Sequence, residues 1–251
     1  MMPHAAADPA RVPVALRFLN AGETALVVEF GDTVDPLIHD RVLALDAALR
    51  ANPPAGTREF VPTYRSLMIH YDPLRIDRAA LIGFVDKVMA APAAHRAKPT
   101  TWVIPCCYDP VLGEDIDEAA QLLNIARDYF IAEQTKATYR IYMYGFAPGY
   151  IYLGGLPRTL AISRRPAPRP PHPPGSVLIG GGLCGVATFS MPTGWYVIGR
   201  TPERLYAGER TEAFLVQAGD SLRFEAIDVA TFDALEQRVA GGEIVARKSV
   251  A

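Results

Sequence analysis

Apolar and polar positions alternate with two different periods along the first ninety residues. Residues 14–19 and 24–30 (TALVVEF) read as strands joined by a turn at Asn20–Glu23. Asp35-Pro36 then opens a helix, with Asp35 placed to cap it and Pro36 suited to its first position. Ile38, Val42, Leu45 and Leu49 follow at i, i+4, i+7 and i+11, the stripe of an amphipathic helix that Asn52-Pro53-Pro54 ends. Residues 57–61 and 66–71 (SLMIHY) return as strands. Asp77 caps a second helix carrying Leu81, Phe84, Val85 and Val88. The order ββαββα predicts a small sheet with helices on one face.

The pattern changes after residue 91. Residues 92–100 lack apolar periodicity and read as a linker, and residues 1–13 read as a frayed leader. TWVIPC (101–106) is a strand. Residues 114–134 hold two short helices, with Ile116, Ala119, Ala120 and Leu123 on one face of the first. Beyond Tyr139 come short apolar runs split by Gly and Pro: YRIYMY, SVLIG, GVATF, WYVIG and SLRFEAI. Such spacing predicts a β-barrel or sandwich. A last helix runs from about Asp228 to Val239, with Phe232, Leu235 and Val239 inward and Gly241-Gly242 as its stop. The expected fold class is α+β, a small amino-terminal α/β sandwich (14–91) followed by a β-barrel with a carboxy-terminal helix (101–251).

Composition narrows the function classes. The chain is half apolar with a formal charge of -2, and nothing in it points to nucleic acid or a membrane. Cys106, Cys107 and Cys184 are too few and too badly spaced for a disulfide framework or a zinc site, which fits a reducing cytoplasm.

Charge patterning singles out one segment. Gln134 to Pro202 contains no Asp and no Glu, yet holds Lys136, Arg140, Arg158, Arg164, Arg165, Arg169 and Arg200. One explanation is a groove for anionic ligands. The other is that acids from elsewhere in the fold pair with these arginines. The same segment is rich in glycine, which lets a ligand approach the backbone. Tyr144, Phe146, Tyr150, Tyr152, Trp195 and Tyr196 could line a concave site, or simply fill a barrel core. The glycines at 175 and 180 are spaced like a Walker A loop, but Gly181-Gly182 stand where Lys and Ser/Thr should follow. His172 sits in a proline run and reads as a loop residue. Cys184, between Leu183 and Gly185, could be a nucleophile or a semi-buried structural cysteine, the commoner case. With no acid in the segment, a proton-transfer group would have to come from elsewhere, most simply from another chain.

At this point several blocks in order carry a resemblance. YRIYMYGFAPGYIYLGGLP (139–157), PRPPHPPGSVLIGGG (168–182) and PTGWYVIGRTP (192–202), preceded by FLNAGETALVVEFGD (18–32) and VPTYRSLMIHYDPLRI (61–76), resemble the KipI / allophanate-hydrolase-subunit-1 family of carboxyltransferase-domain proteins. The resemblance runs from about residue 14 to 228. It implies a cyclophilin-like barrel and a partner of the KipA or allophanate-hydrolase-subunit-2 type, with a third subunit of LamB/YcsF type. The implied activity is ATP-dependent opening of 5-oxoproline to L-glutamate, with ATP used by the complex. Other family roles are inhibition of a histidine kinase and a carboxyltransferase or allophanate-hydrolase-type part in a urea amidolyase system. On this reading Arg169, Arg200, Ser176, Gly180, Gly181, Gly182, Tyr150 and Phe146 bind a small carboxylate or lactam, with no metal and with acid–base groups supplied by a partner. The chain departs from the family pattern at Gln134, where a His is common. It departs again at Tyr150-Ile151, for Phe-Pro, and at Leu183-Cys184, for a Gln-Thr pair.

Overall fold

The computed structural model describes residues 16–91 and 99–249, so the leader at 1–13 and most of the linker at 92–100 lie outside the described residues. The chain separates into two compact units, Met1–Arg96 and Ala97–Ala251.

In the first unit, β1 (Arg17–Asn20), β2 (Ala25–Glu29), β3 (Thr57–Pro62) and β4 (Ser66–Tyr71) form one antiparallel sheet in the order β1-β2-β4-β3. Two helices cover it, α1 (Pro36–Ala51) and α2 (Arg78–Ala90). Asp35 caps α1 by accepting from the Leu37 and Ile38 N–H groups, and Asp77 caps α2 through the Ala80 N–H. Val42, Leu45 and Leu49 of α1 and Leu81 and Val85 of α2 are buried against Leu26, Val28, Leu67 and Ile69. That is the helical stripe meeting the alternate positions of the strands.

The second unit is a closed barrel. Its strands are β5 (Thr101–Cys107), β6 (Tyr139–Tyr144), β7 (Ile151–Gly154), β9 (Ser176–Gly180), β10 (Leu183–Val186), β12 (Tyr196–Arg200) and β13 (Ser221–Ile227). They run in the order β12-β9-β10-β7-β6-β13-β5, and β5 pairs with β12 to close the ring. All pairs are antiparallel except β5–β13. A two-residue strand, β14 (Arg247–Lys248), pairs with β5 where the ring leaves part of its edge open. Two helices, α3 (Ile116–Leu122) and α4 (Arg127–Lys136), add Ile116, Ala119, Ala120 and Phe130 to the barrel core, and α5 (Val229–Ala240) follows β13. The mixed α+β architecture expected from the sequence is thus present.

The barrel is buried on two faces over part of its circumference. Val177 and Ile179 of β9 and Tyr196 and Ile198 of β12 point into the core. Leu178 and Val197, one residue out of phase, belong to a smaller outer cluster with Tyr150, Ala187 and Trp195. A two-stranded ribbon lies beyond the barrel sheet: β8 (Arg169–His172) paired with β11 (Met191–Thr193). The middle of the proline-rich run, Arg169–His172, is therefore extended and has a strand partner.

A buried carboxylate fastens the β5–β13 seam. Asp220 accepts from the Thr100 N–H at 2.9 Å and from Trp102 Nε1 and the Gln217 N–H at 3.1 Å each. Asp220→Ala strands these donors and is expected to cost about 3 kcal/mol, read as a lower urea midpoint.

Candidate functional site

The acids missing from the 134–202 segment are supplied by neighbouring elements. Asp115, at the start of α3, is buried. Its Oδ2 accepts from the Val197 N–H at 2.8 Å, and its own N–H donates to the Val197 carbonyl at 2.8 Å. Its Oδ1 faces both Arg165, at 3.4 Å, and Arg169. Arg165 also reaches Glu118 at 2.7 Å and lies over the Tyr196 ring, and Arg169 pairs with Glu114. At the far end of β12, Arg200 pairs with Glu236 of α5 at 2.8 Å, donates to the Pro174 carbonyl and covers the Phe232 ring. Arg165, Arg169 and Arg200 therefore have acidic partners among the described residues, and two of these are the arginines singled out as ligand-binding from the sequence. Arg164 has no acidic partner among the described residues.

The eight residues singled out from the sequence do not form one site. Phe146 and Tyr150 line a cleft of about 170 Å³ beside the β8–β11 ribbon. Tyr152, Trp195, Arg164, His172, Leu178 and Thr193 complete its lining. The Gly180–Gly182 turn between β9 and β10 is not part of that lining, Gly180 backing onto Trp195 and Gly181 onto Arg164. Arg169 belongs to the Asp115 cluster. Ser176 and Arg200 face each other across β9 and β12 at the opposite end of the strands. Arg200 borders a larger cleft of about 740 Å³ with Phe189, Tyr206, Arg204, Glu203 and Glu236. The larger cleft has the usual size for a drug-sized ligand, yet its cations are neutralised. Arg204 pairs with Glu209, and Arg210 pairs with the buried Glu203, which also accepts from the Val245 and Ala246 N–H groups at 2.7 Å.

Local chemistry explains the shape of the smaller cleft. Gly180 must lack a side chain, because a Cβ there would lie 2.7 Å from Trp195 Cγ. Gly181 and Gly182 have φ of 60° and 75° and form the two-residue turn between β9 and β10, which demands positive φ at both positions. In the lining itself, the turn from β6 to β7 holds Phe146 at φ 69°, and this residue is 74% exposed. A bulky residue in that region is strained, and such strain concentrates at binding sites. The rings run in sequence: Phe146 edge-on to Tyr150 at 5.8 Å, Tyr150 tilted on Tyr152 at 4.9 Å, and Tyr152 edge-on to Trp195 at 6.1 Å.

His172 is the residue that sequence reasoning passed over. It is 1% exposed, not a solvated loop residue. Its Nδ1 lies 3.2 Å from the Pro173 carbonyl, which can only accept, so Nδ1 carries the proton. The Ser176 hydroxyl donates to the same carbonyl at 2.7 Å. Nε2 is left as an acceptor with no hydrogen-bond partner among the described residues. Burial lowers the imidazole's pKa, and the Arg169 cation acts the same way. The Pro173 carbonyl and the charges of Glu114 and Asp115 oppose them. The sequence offered no periodic signal for it, because His172 ends a four-residue strand that is half proline.

Two departures from the family pattern meet inside the barrel. Gln134 Nε2 lies 3.7 Å from Cys184 Sγ, while its Oε1 accepts from the Tyr139 hydroxyl at 2.6 Å. Burial pushes the Cys184 thiol up to about 12, so it is a packing group and not a nucleophile. Only Leu183 of the Leu183-Cys184 pair borders the aromatic cluster. No group of three or more His, Cys, Asp or Glu among the described residues could hold a metal ion, and no helix among them is long and apolar enough to cross a membrane.

Two outcomes follow from these pairings. Asp115→Asn keeps the acceptor for Val197 but removes the charge facing Arg165 and Arg169, and is expected to cost about 3 kcal/mol in chemical denaturation. His172 takes up its proton less readily when folded than when unfolded, so stability falls as pH drops below the ordinary value of 6.5 towards the lowered folded value. His172→Gln is expected to remove that part of the pH dependence of Tm.

Comparison with known proteins agrees with this architecture. The family model of the carboxyltransferase domain, subdomain C and D, matches residues 16–216. A 5-oxoprolinase subunit of Bacillus subtilis (strain 168) is 30% identical over 227 residues, covering 86% of this chain and 95% of that protein. The 5-oxoprolinase subunit of the same designation in Haemophilus influenzae is 39% identical over 121 residues, 48% of this chain and 57% of that one. Among solved structures, TTHA0988 superimposes with a TM-score of 0.73 at 31% identity, over 81% of this chain and 40% of its own. The Kluyveromyces lactis urea carboxylase gives a TM-score of 0.74 at 17% identity, over 93% of this chain and 24% of its own, a likeness of fold alone. A family match over most of its length and a relative matched nearly end to end establish that the chain belongs to the carboxyltransferase-domain family (subdomain C and D), to which these 5-oxoprolinase subunits are its similar relatives.

Proposed function

We propose that this chain is a subunit of a bacterial ATP-dependent 5-oxoprolinase, a complex that opens 5-oxoproline with ATP and water to give L-glutamate. The observation that carries the reading is the match to the 5-oxoprolinase subunit of Bacillus subtilis across 95% of that protein. The partners are a KipA or allophanate-hydrolase-subunit-2 type chain and a LamB/YcsF-type chain, and the complex works in the cytoplasm.

The site chemistry supports a role shared with other chains. Phe146, Tyr150, Tyr152 and Trp195 form aromatic walls of the ligand cleft for a small ring, with Arg164 as its cation, and the Gly180–Gly182 turn stands behind Trp195. At about 170 Å³ the cleft suits a ligand well below drug size. Arg169, Arg200 and Ser176 act from outside it. Arg169 fixes the ribbon through Asp115, Arg200 fixes α5 through Glu236, and Ser176 fixes the Pro173 carbonyl. No carboxylate lines the cleft, and its histidine is held neutral by burial. The groups that transfer protons and handle ATP belong to the partners.

Reconstitution tests the reading. The chain alone is expected to release no glutamate from 5-oxoproline, and the complex to do so only with ATP. Trp195→Ala in the complex is expected to lower kcat/KM by about tenfold or more, through the lost cleft wall. Absence of turnover in a fully assembled complex contradicts the proposal.

A further inference from the structure

Within the proposed ligand cleft, one polar atom has no work in the protein. His172 is one of the residues that line this largely aromatic and apolar cleft, and its Nε2 is buried with no hydrogen-bond partner among the described residues. Its tautomer is set by protein groups, since the Pro173 carbonyl takes the proton side of the ring and is itself anchored by Ser176. A buried acceptor left unpaired is costly, so the site gains from a ligand that offers a donor there. Arg164, without an acidic partner among the described residues, adds positive charge beside Tyr152, whose hydroxyl burial raises and Arg164 lowers. A ligand satisfying both groups carries an anion and an N–H on one small frame.

We infer that His172, through Nε2, is the group that selects an N–H donor on a small carboxylate held beside Arg164. This deepens the reading of the cleft as the ligand site and rests on it. His172 is a specificity-determining contact on this account, not a base. A lactam or amide N–H is far too weak an acid to surrender its proton to an imidazole whose cationic form is disfavoured by burial. The neutral ring also stays an acceptor across the neutral pH range. Below it, protonation converts Nε2 to a donor facing the ligand's own donor, with Arg164 and Arg169 nearby as like charges and Glu114 and Asp115 as opposing ones.

The test compares two nearly isosteric ligands. 5-Oxoproline presents a lactam N–H. 5-Oxotetrahydrofuran-2-carboxylate replaces that group by a ring oxygen without a proton. By titration calorimetry on the full-length chain, the lactam is expected to bind at least about tenfold more tightly than the lactone. His172→Val is expected to bring the ratio close to one, and His172→Gln, which keeps an acceptor, to retain part of it. Arg164→Ala is expected to weaken both ligands alike. Because a valine in a buried site could compromise folding, the imidazole nitrogen resonances of the unaltered chain provide a second readout. The Nε2 signal is expected to move with the lactam and not with the lactone.

Equal affinity for the two ligands, or no binding of either, overturns the inference. So does discrimination that survives in His172→Val. Turnover of 5-oxoproline by the complex together with unchanged discrimination overturns this inference and leaves the proposed function standing. Discrimination erased by His172→Val in a complex without turnover does the reverse.

Discussion

A single buried carboxylate reconciles this chain's charge distribution with its fold. A segment running from Gln134 to Pro202 without one acid cannot place its arginines against a barrel unless counter-charges arrive from elsewhere. Asp115 supplies the most enclosed of them, bonded to the Val197 backbone in both directions and facing Arg165 and Arg169 together. Glu114 and Glu118 flank it. The consequence is positional. Arg169 begins the strand that ends in His172, and Arg165 follows Arg164 directly, so the same cluster fixes the ribbon and the approach to the cleft. An ion pair of this kind is weak evidence for stability in itself, because desolvation offsets much of the attraction. Its value here is to set where a segment rich in Gly and Pro comes to rest.

The amino-terminal unit was legible because its determinants are local. Asp35-Pro36 and Asp77 are caps that act within three residues, and the Val42, Leu45, Leu49 stripe needs only helical geometry to declare a buried face. The barrel was legible as a class for a similar reason, since short apolar runs between glycines leave few alternatives. Strand β7 escaped notice because Ile151–Gly154 lies between glycine-rich turns and shows no alternation of its own. The β8–β11 ribbon escaped because prolines argue against strands unless an edge accepts them.

The candidate site divides along the same line. Phe146 and Tyr150 could be chosen from residue type and spacing alone, whereas the Gly180–Gly182 turn chosen with them lies outside the cleft lining. Whether an arginine is spent on a carboxylate is decided by contacts between residues 36 to 55 positions apart, as for Arg200 with Glu236 and Arg169 with Glu114. His172 was hidden for the opposite reason. Its proline-rich surroundings look solvated in one dimension and are enclosed in three. Gln134 and Cys184 show the same effect inside the barrel. Two departures from the family pattern, fifty positions apart in sequence, touch each other inside the barrel.

The cleft's character follows from what lines it. On the proposed reading, its aromatic walls, Arg164 and the unpaired His172 acceptor recognise and orient the ligand, and no carboxylate among the described residues lines it. That division of labour fits a chain whose relatives are named as subunits. The most direct measurement is a structure of the assembled complex with 5-oxoproline bound. The expected result places the lactam between Tyr150 and Trp195, its N–H within hydrogen-bond distance of His172 Nε2 and its carboxylate toward Arg164. A ligand bound elsewhere with this cleft empty contradicts the account.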